Sequence, residues 1–191
     1  MLKSSYMKSG RIEVICGSMF SGKTAELLRR MERARLAKLS TILVKPVIDD
    51  RYSVNNVVSH NKTSAHAIPV GKSAEILGLI DHSIEVLGVD EAQFFDPGII
   101  HVVKEIANRG IVVIVAGLDT DYRYEAFGSM PTLLAIADDV QKLHAICMRC
   151  GEDACRTQRL SNSGDQIQVG EMDAYEARCR NCYEEPKKPA I

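Results

Sequence analysis

Arg11-Ile12-Glu13-Val14-Ile15-Cys16 runs straight into Gly17-Ser18-Met19-Phe20-Ser21-Gly22-Lys23-Thr24, and this junction decides the fold. The first six residues read as a buried strand, the next eight match G-x-x-x-x-G-K-T, and Leu27, Leu28, Met31 and Ala34 then recur at helical spacing. A glycine-rich turn between a strand and a helix is a phosphate-binding loop. Gly17 and Gly22 allow backbone shapes that a side chain would obstruct, so successive N–H groups can turn inward on an anion. Gly17, Ser18, Met19, Phe20, Ser21, Gly22, Lys23 and Thr24 are therefore the candidate phosphate contacts. Lys23 adds a point charge for the outer phosphates, Thr24 offers a hydroxyl to magnesium, and the helix directs its positive end at the same place.

Outward from this loop, Thr41-Ile42-Leu43-Val44-Lys45 reads as a second strand halted at Pro46. Residues 49–67 are polar and turn-rich, the pattern of an excursion or hairpin beyond the sheet. Ser73 to Ile80 reads as a short helix, Ile84 to Val89 as a strand, Gly98 to Asn108 as a helix stopped by Arg109-Gly110, and Ile111 to Ala116 as a further strand. Near-continuous apolar strands alternating with helices predict a parallel sheet covered on both faces, with ligands gathered at the strand C-terminal ends. Gly17, Lys45, Asp90 and Gly117 stand at such ends. Arg29, Arg30, Arg33 and Lys38 read as a solvent-exposed face of the first helix, or an oligomer surface.

The third of these strands ends in Asp90-Glu91. Asp90 is placed to hold magnesium opposite Thr24, and Glu91, one residue on, to take a proton from an attacking hydroxyl or water. A solvated loop start or helix cap is the plainer alternative for the pair.

The chain has 191 residues, 46% hydrophobic and 26% charged, enough for one sizeable core plus a small module. A net charge of -1 supplies no overall attraction to nucleic acid or an acidic membrane. Met1 to Tyr6 lacks the apolar core of a signal peptide, and the longest apolar run is far too short to span a bilayer, so a cytoplasmic protein is expected. Four of the six cysteines form Cys147-x-x-Cys150 and Cys179-x-x-Cys182, separated by 28 residues. In a reducing compartment that spacing favours a closed four-thiolate zinc site, over a redox pair or disulfides. Composition shifts near Cys147, which divides the chain into 1–146, 147–183 and a tail at 184–191. Cys16 reads as a small buried hydrophobe; Cys155 has no assignment.

Met19-Phe20-Ser21-Gly22-Lys23-Thr24, Asp49 with Arg51-Tyr52-Ser53, Asp90-Glu91-Ala92-Gln93-Phe94-Phe95, Leu118-Asp119, Phe127-Gly128, Thr157-Gln158-Arg159-Leu160, and Tyr175 before the second cysteine pair occur together and in order. In these the chain, from Arg11 to Tyr183, resembles the thymidine kinases of the type that carries a zinc-bound lasso domain. The resemblance implies a P-loop (RecA-like) α/β domain with a C-terminal zinc-ribbon lasso, and transfer of the γ-phosphoryl of ATP to the 5'-hydroxyl of thymidine. It makes Glu91 the general base and groups Asp49, Arg51 and Gln93 with the phosphate side. The lasso, by the same resemblance, closes over the nucleoside with backbone near Val169 and Gly170 on the thymine edge. Met19, Phe94, Leu118, Thr157 and Tyr175 match positions around the base, and Tyr122 and Phe127 match pocket aromatics. Core packing is the alternative for Met19, Leu118 and Phe127, and a surface ion pair for Arg51. The resemblance also implies a homotetramer inhibited by thymidine triphosphate, with neither nucleic acid nor membrane as partner.

Two other classes fit parts of the sequence. A helicase shares the acidic pair followed by Gln, but needs a second such domain for which this length leaves no room. A nucleotide-switched binding module would use Arg149, Arg156, Arg159, Arg178 and Arg180 as a basic patch, which requires that they share one face.

Overall fold

The apolar runs form strands wherever β-branched residues can be buried on both sides at once. The computed structural model describes residues 9–47, 56–58, 64–160 and 174–186. In order they form β1 (Arg11–Gly17), α1 (Lys23–Leu36), β2 (Thr41–Pro46), β3 (Asn56–Val58), β4 (Ser64–His66) and β5 (Ile68–Val70). A 3-10 turn (Ser73–Glu75) leads into α2 (Ile76–Leu79), followed by β6 (Val86–Val89), a second 3-10 turn (Ala92–Phe94), α3 (Ile99–Asn108), β7 (Val112–Gly117), α4 (Met130–Ile136) and β8 (Asp139–Leu143). The C-terminal module comprises β9 (Ala145–Ile146), β10 (Asp153–Ala154), β11 (Arg156–Arg159) and β12 (Tyr175–Arg178).

Six strands form a wholly parallel sheet in the order β5-β2-β6-β7-β1-β8. Parallel strands require crossovers, and the crossovers cover both faces. Ile12, Val14 and Cys16 of β1 face Val103 and Ile106 of α3 and Met130 and Leu133 of α4. Ile15 points the other way, into a cluster with Leu27, Leu28 and Met31 of α1. Burying each such side chain contributes roughly 1.5–3 kcal/mol, so each helix is held mainly by its apolar face rather than by propensity. All C-terminal strand ends then open on one edge, which is why loops far apart in sequence meet there.

The predicted parallel α/β architecture is present, with differences at particular elements. The strand read from Ile84 begins at Val86 and the one read from Ile111 at Val112. Residues 73–80 split into a 3-10 turn and one helical turn. The polar excursion does contain an antiparallel pairing, β3 with β4, and β5 then joins the sheet edge, which was not anticipated. Neither α4 nor β8 was foreseen. α4 is a short helix of seven residues, and β8, Asp139-Val140-Gln141-Lys142-Leu143, is a half-exposed edge strand without an apolar run. Cys16 is buried at 1% exposure, and burial pushes its thiol up to about 11.

The basic face of α1 requires a correction. Arg30 is not solvated: its guanidinium donates to Glu13 of β1 at 2.5 Å, Glu26 of α1 at 2.9 Å and Gln141 of β8 at 2.5 Å. Glu13 lies in a strand that is otherwise apolar after Arg11, and the guanidinium groups of Arg11, at 2.7 Å, and Arg30 together make a buried carboxylate tolerable there. The network fastens α1 across β1 to the edge strand.

Hydrogen bonds from Arg29, opposed by burial and joined by those from Arg30, hold the Glu26 carboxyl down at about 2, against an ordinary 4.5. A depressed carboxylate stabilises the fold fully above its unfolded value and loses that contribution as pH falls through the folded one. The difference in Tm between the wild type and Glu26→Gln should therefore be constant from pH 7 to about 5 and shrink between 4.5 and about 2. A difference independent of pH across this window would contradict it.

Candidate active site

β1 delivers the loop at 17–22 to the open edge of the sheet, and the backbone there departs from ordinary strand and helix geometry. Gly17, Phe20 and Gly22 have φ of 139°, 64° and 87°. A Cβ on Gly17 would lie 2.2 Å from the carbonyl oxygen of Leu143 in the adjacent strand, so only glycine lets the loop leave β1 at this point. Lys23, the first residue of α1, is buried, and its ammonium donates to the Ser18 carbonyl at 2.7 Å across the loop. Burial pushes its pKa down, while the charges of Glu91, Asp90 and Asp119 act in the opposite direction. A buried ammonium beside converging amides is a seat for phosphate.

β6 brings the acidic pair to the same edge. Asp90 is 4% exposed; its Oδ1 accepts from the Thr24 hydroxyl at 3.5 Å and from the Glu91 amide at 3.0 Å. Burial, and then the neighbouring charge of Glu91, raise the Asp90 pKa. A buried carboxylate opposed by a second carboxylate and faced by a hydroxyl is a donor set that a divalent cation would relieve, so Thr24 and Asp90 fit magnesium. Glu91 follows in the left-handed region at φ 51°, ψ 41°, which turns its side chain away from the direction β6 was taking. Its Oε2 accepts from the Gln93 amide at 2.5 Å.

On the far side of the cleft lies the segment after β7. Leu118 is half-buried, Tyr122 is 9% exposed, and Phe94 and Phe127 meet edge to face with centroids 5.4 Å apart. This gives an apolar, aromatic wall beside the acidic corner, suited to a flat ring. Asp119 pairs with Lys142 at 2.6 Å through one oxygen, while the other is buried without a partner.

The third wall is the C-terminal module. The four sulfur atoms of Cys147, Cys150, Cys179 and Cys182 lie within 4.8 Å of one another. Thiolates around a tetrahedral zinc with bonds of ~2.3 Å stand roughly 3.8 Å apart; Cys150 and Cys179 are at 3.6 Å. Burial raises Cys147, but backbone N–H groups at Cys179, Arg149 and Cys150 outweigh it and bring the thiol to about 6. Cys182 is pushed up to about 12 by its hydrogen bonds to Cys150 and Cys179. Four crowded sulfurs, some favouring the thiolate and others unable to ionise beside them, fit a structural zinc ion.

This module is seated on the phosphate loop itself. The Met19 amide donates to the Thr157 hydroxyl at 3.0 Å, the Ser18 hydroxyl donates to the Ala154 carbonyl at 3.4 Å, and Phe20 packs against the module's small core. Arg156 lies over the rings of Tyr124, at 3.9 Å, and Tyr183, at 5.1 Å, and the Tyr183 hydroxyl donates to the Tyr122 carbonyl at 2.7 Å. Arg159 lies over Tyr122 at 4.9 Å and Tyr175 at 6.0 Å.

The family model described as thymidine kinase matches residues 10–183. The chain belongs to the thymidine kinase family. It is 52% identical over 177 residues to a thymidine kinase of Bacteroides fragilis (strain YCH46), covering 93% of this chain and 88% of that protein. A thymidine kinase of Bacteroides thetaiotaomicron is 53% identical over 176 residues, 92% and 88% of the two chains. One of Porphyromonas gingivalis (strain ATCC 33277) is 48% identical over 183 residues, 96% and 89%.

Within this family member, the structure gathers Gly17 to Thr24, Asp90, Glu91, Gln93, Phe94, Leu118, Tyr122, Phe127, Thr157 and Tyr175 around one edge of the sheet. Asp49, Arg51, Val169 and Gly170 lie outside the described residues. Gln93, grouped with the phosphates on sequence, is 3% exposed, and its amide is engaged by Glu91 and the Leu118 backbone. Sequence reasoning missed Ala154, Arg156 and Tyr183, which dock the module; an arginine among scattered tyrosines has no linear signature. The five arginines considered as a basic patch do not share an exposed face. Arg156, Arg159 and Arg178 are buried, Arg178 pairs with Glu176, and Arg149 pairs with Glu184 at 2.6 Å. Glu184, the first residue of the tail, exchanges two hydrogen bonds with Gln158. Among the described residues no helix is long and apolar enough to cross a membrane.

The protein has no tryptophan, and the four described tyrosines all lie where the module meets the 119–127 segment or the cleft. Near-ultraviolet circular dichroism should therefore report this junction. Purified protein should carry about one zinc per chain, and stripping it with a chelator should collapse the tyrosine band while most far-ultraviolet signal persists. A zinc-free protein with an unchanged tyrosine band would contradict this structural role.

Proposed function

We propose that this chain is an ATP-dependent thymidine kinase that transfers the γ-phosphoryl group of ATP to the 5'-hydroxyl of thymidine, with Glu91 as general base. The observation that carries the reading is that the charge of Glu91 acts on the buried lysine of the phosphate loop while its carboxylate is bonded to Gln93, the neighbour of Phe94 in the aromatic wall. Its relatives' names agree with this activity.

In this reading the loop amides from Gly17 to Gly22 and the Lys23 ammonium hold the β- and γ-phosphates. Thr24 and Asp90 hold magnesium, which supplies charge neutralisation on the phosphate oxygens. Thymidine lies on the Phe94, Leu118, Tyr122 and Phe127 side, with Met19, Thr157, Val169, Gly170 and Tyr175 contributed by the loop and the lasso. Glu91 takes the 5'-hydroxyl proton as that oxygen bonds to the γ-phosphorus, and the bond to the β–γ bridging oxygen breaks, releasing ADP. Alignment and preorganised charge account for most of the rate. Asp49 and Arg51 serve the phosphate side. A cytoplasmic homotetramer inhibited by thymidine triphosphate completes the proposal.

A scan of natural nucleosides with ATP and magnesium should give thymidine monophosphate from thymidine as the preferred acceptor. Glu91→Gln should lower kcat by about 10²–10⁴-fold and leave ATP affinity within about twofold, because the carboxylate acts on the acceptor hydroxyl rather than on the bound phosphates. Wild-type turnover in this variant would remove Glu91 from the mechanism.

A further inference from the structure

Gln93 has the geometry of a device acting on Glu91. The Leu118 amide donates to Gln93 Oε1 at 3.0 Å, and Gln93 Nε2 donates to Glu91 Oε2 at 2.5 Å. The first of these bonds dictates the second. A backbone N–H can only donate, so it fixes the carbonyl end of the amide toward Leu118 and leaves the NH2 end facing the carboxylate. Reversing the amide would oppose donor to donor at one end and acceptor to acceptor at the other.

The residue is also closely packed. It is 3% exposed and sits within the 3-10 turn Ala92–Phe94. Gly128, at φ 52°, lies so close to its backbone that an added Cβ would stand 2.3 Å from the Gln93 carbonyl oxygen. Glu91 itself is half-exposed in a left-handed conformation, and among the described residues Gln93 is the side chain that donates to its carboxylate. Its carboxylate is thus aimed by Gln93, and Gln93 in turn is aimed by the segment carrying the aromatic wall.

We propose that Gln93 is a positioning residue for the phosphoryl-transfer step. It holds one Glu91 oxygen so that the other is presented to the acceptor hydroxyl, and ties that alignment to the seating of Leu118 on the nucleoside side. The proposal rests on Glu91 being the base. The two ends of the amide predict separable effects. Gln93→Glu retains an acceptor for the Leu118 N–H but no longer presents an amide donor to Glu91; Gln93→Met keeps the length and loses both.

Steady-state kinetics on the full chain, with circular dichroism to verify folding, tests this. Gln93→Glu should lower kcat by about 10- to 100-fold, the scale of a misplaced catalytic group, with the thymidine KM within about twofold. Gln93→Met should lower kcat comparably and also raise the thymidine KM several-fold. Wild-type kcat in Gln93→Glu overturns the proposal, and so does a Gln93→Met enzyme that changes only in KM; should the first variant not fold, the second decides. Glu91→Gln run alongside separates the two readings. If it is inactive while Gln93→Glu is fully active, only the positioning role fails, whereas full activity in Glu91→Gln removes the base and its positioning together.

Discussion

Charge held out of water at the open end of β1 and β6 governs this structure. Asp90 is wholly enclosed, Glu91 follows it, and Lys23 is buried within the same corner. Asp90 or Lys23 alone would be driven to its neutral form or out to solvent. Together they compensate, provided that α1 holds Lys23 over the loop and β6 stops where it does. The parallel sheet meets that requirement, because the two strands end on the same edge with β7 between them. A phosphate-rich ligand with a divalent cation fits the same balance, since it brings negative charge to the lysine and positive charge to the carboxylates.

The C-terminal module extends the constraint from charge to shape. Its apolar core among the described residues is small, five buried residues of which two are cysteines, and four clustered sulfurs give a metal ion the means to hold it together. Its outer strands then serve as a wall. Thr157 takes an amide of the phosphate loop, Phe20 packs into the module, and Arg156 and Tyr183 join it to the 119–127 segment. The cysteine cluster and the nucleotide loop are thereby coupled through side chains. The fold around the cysteines also sets where Ser18, Met19 and Phe20 can lie.

Much of this was legible in the chain because local physics writes it there. The phosphate loop is contiguous, its glycines and lysine have fixed offsets, and the acidic pair sits where an apolar run ends. The central strands announce themselves by burial on both faces. The edge strand β8 does not, because three of its five residues are exposed and its two apolar residues, Val140 and Leu143, are separated by Gln141 and Lys142, so neither alternation nor an apolar run appears. Arg30 was misread for a related reason. On a helix wheel it belongs to a basic face, and only the register of β1 and β8 beneath that face supplies Glu13 and Gln141 to receive it.

The sequence by itself determined the class of fold, the nucleotide loop, the metal-ligand cysteines and the identity of the acidic corner, because each depends on residues close together along the chain. Only the tertiary structure decided what those residues do to one another. It turned Gln93 inward onto Glu91, set Thr157 against Met19, stacked Arg156 on Tyr124 and drew a half-buried Arg30 into a network spanning three elements. Those pairings join positions up to 138 residues apart, and their geometry is fixed by strand order and helix packing, which no local pattern records.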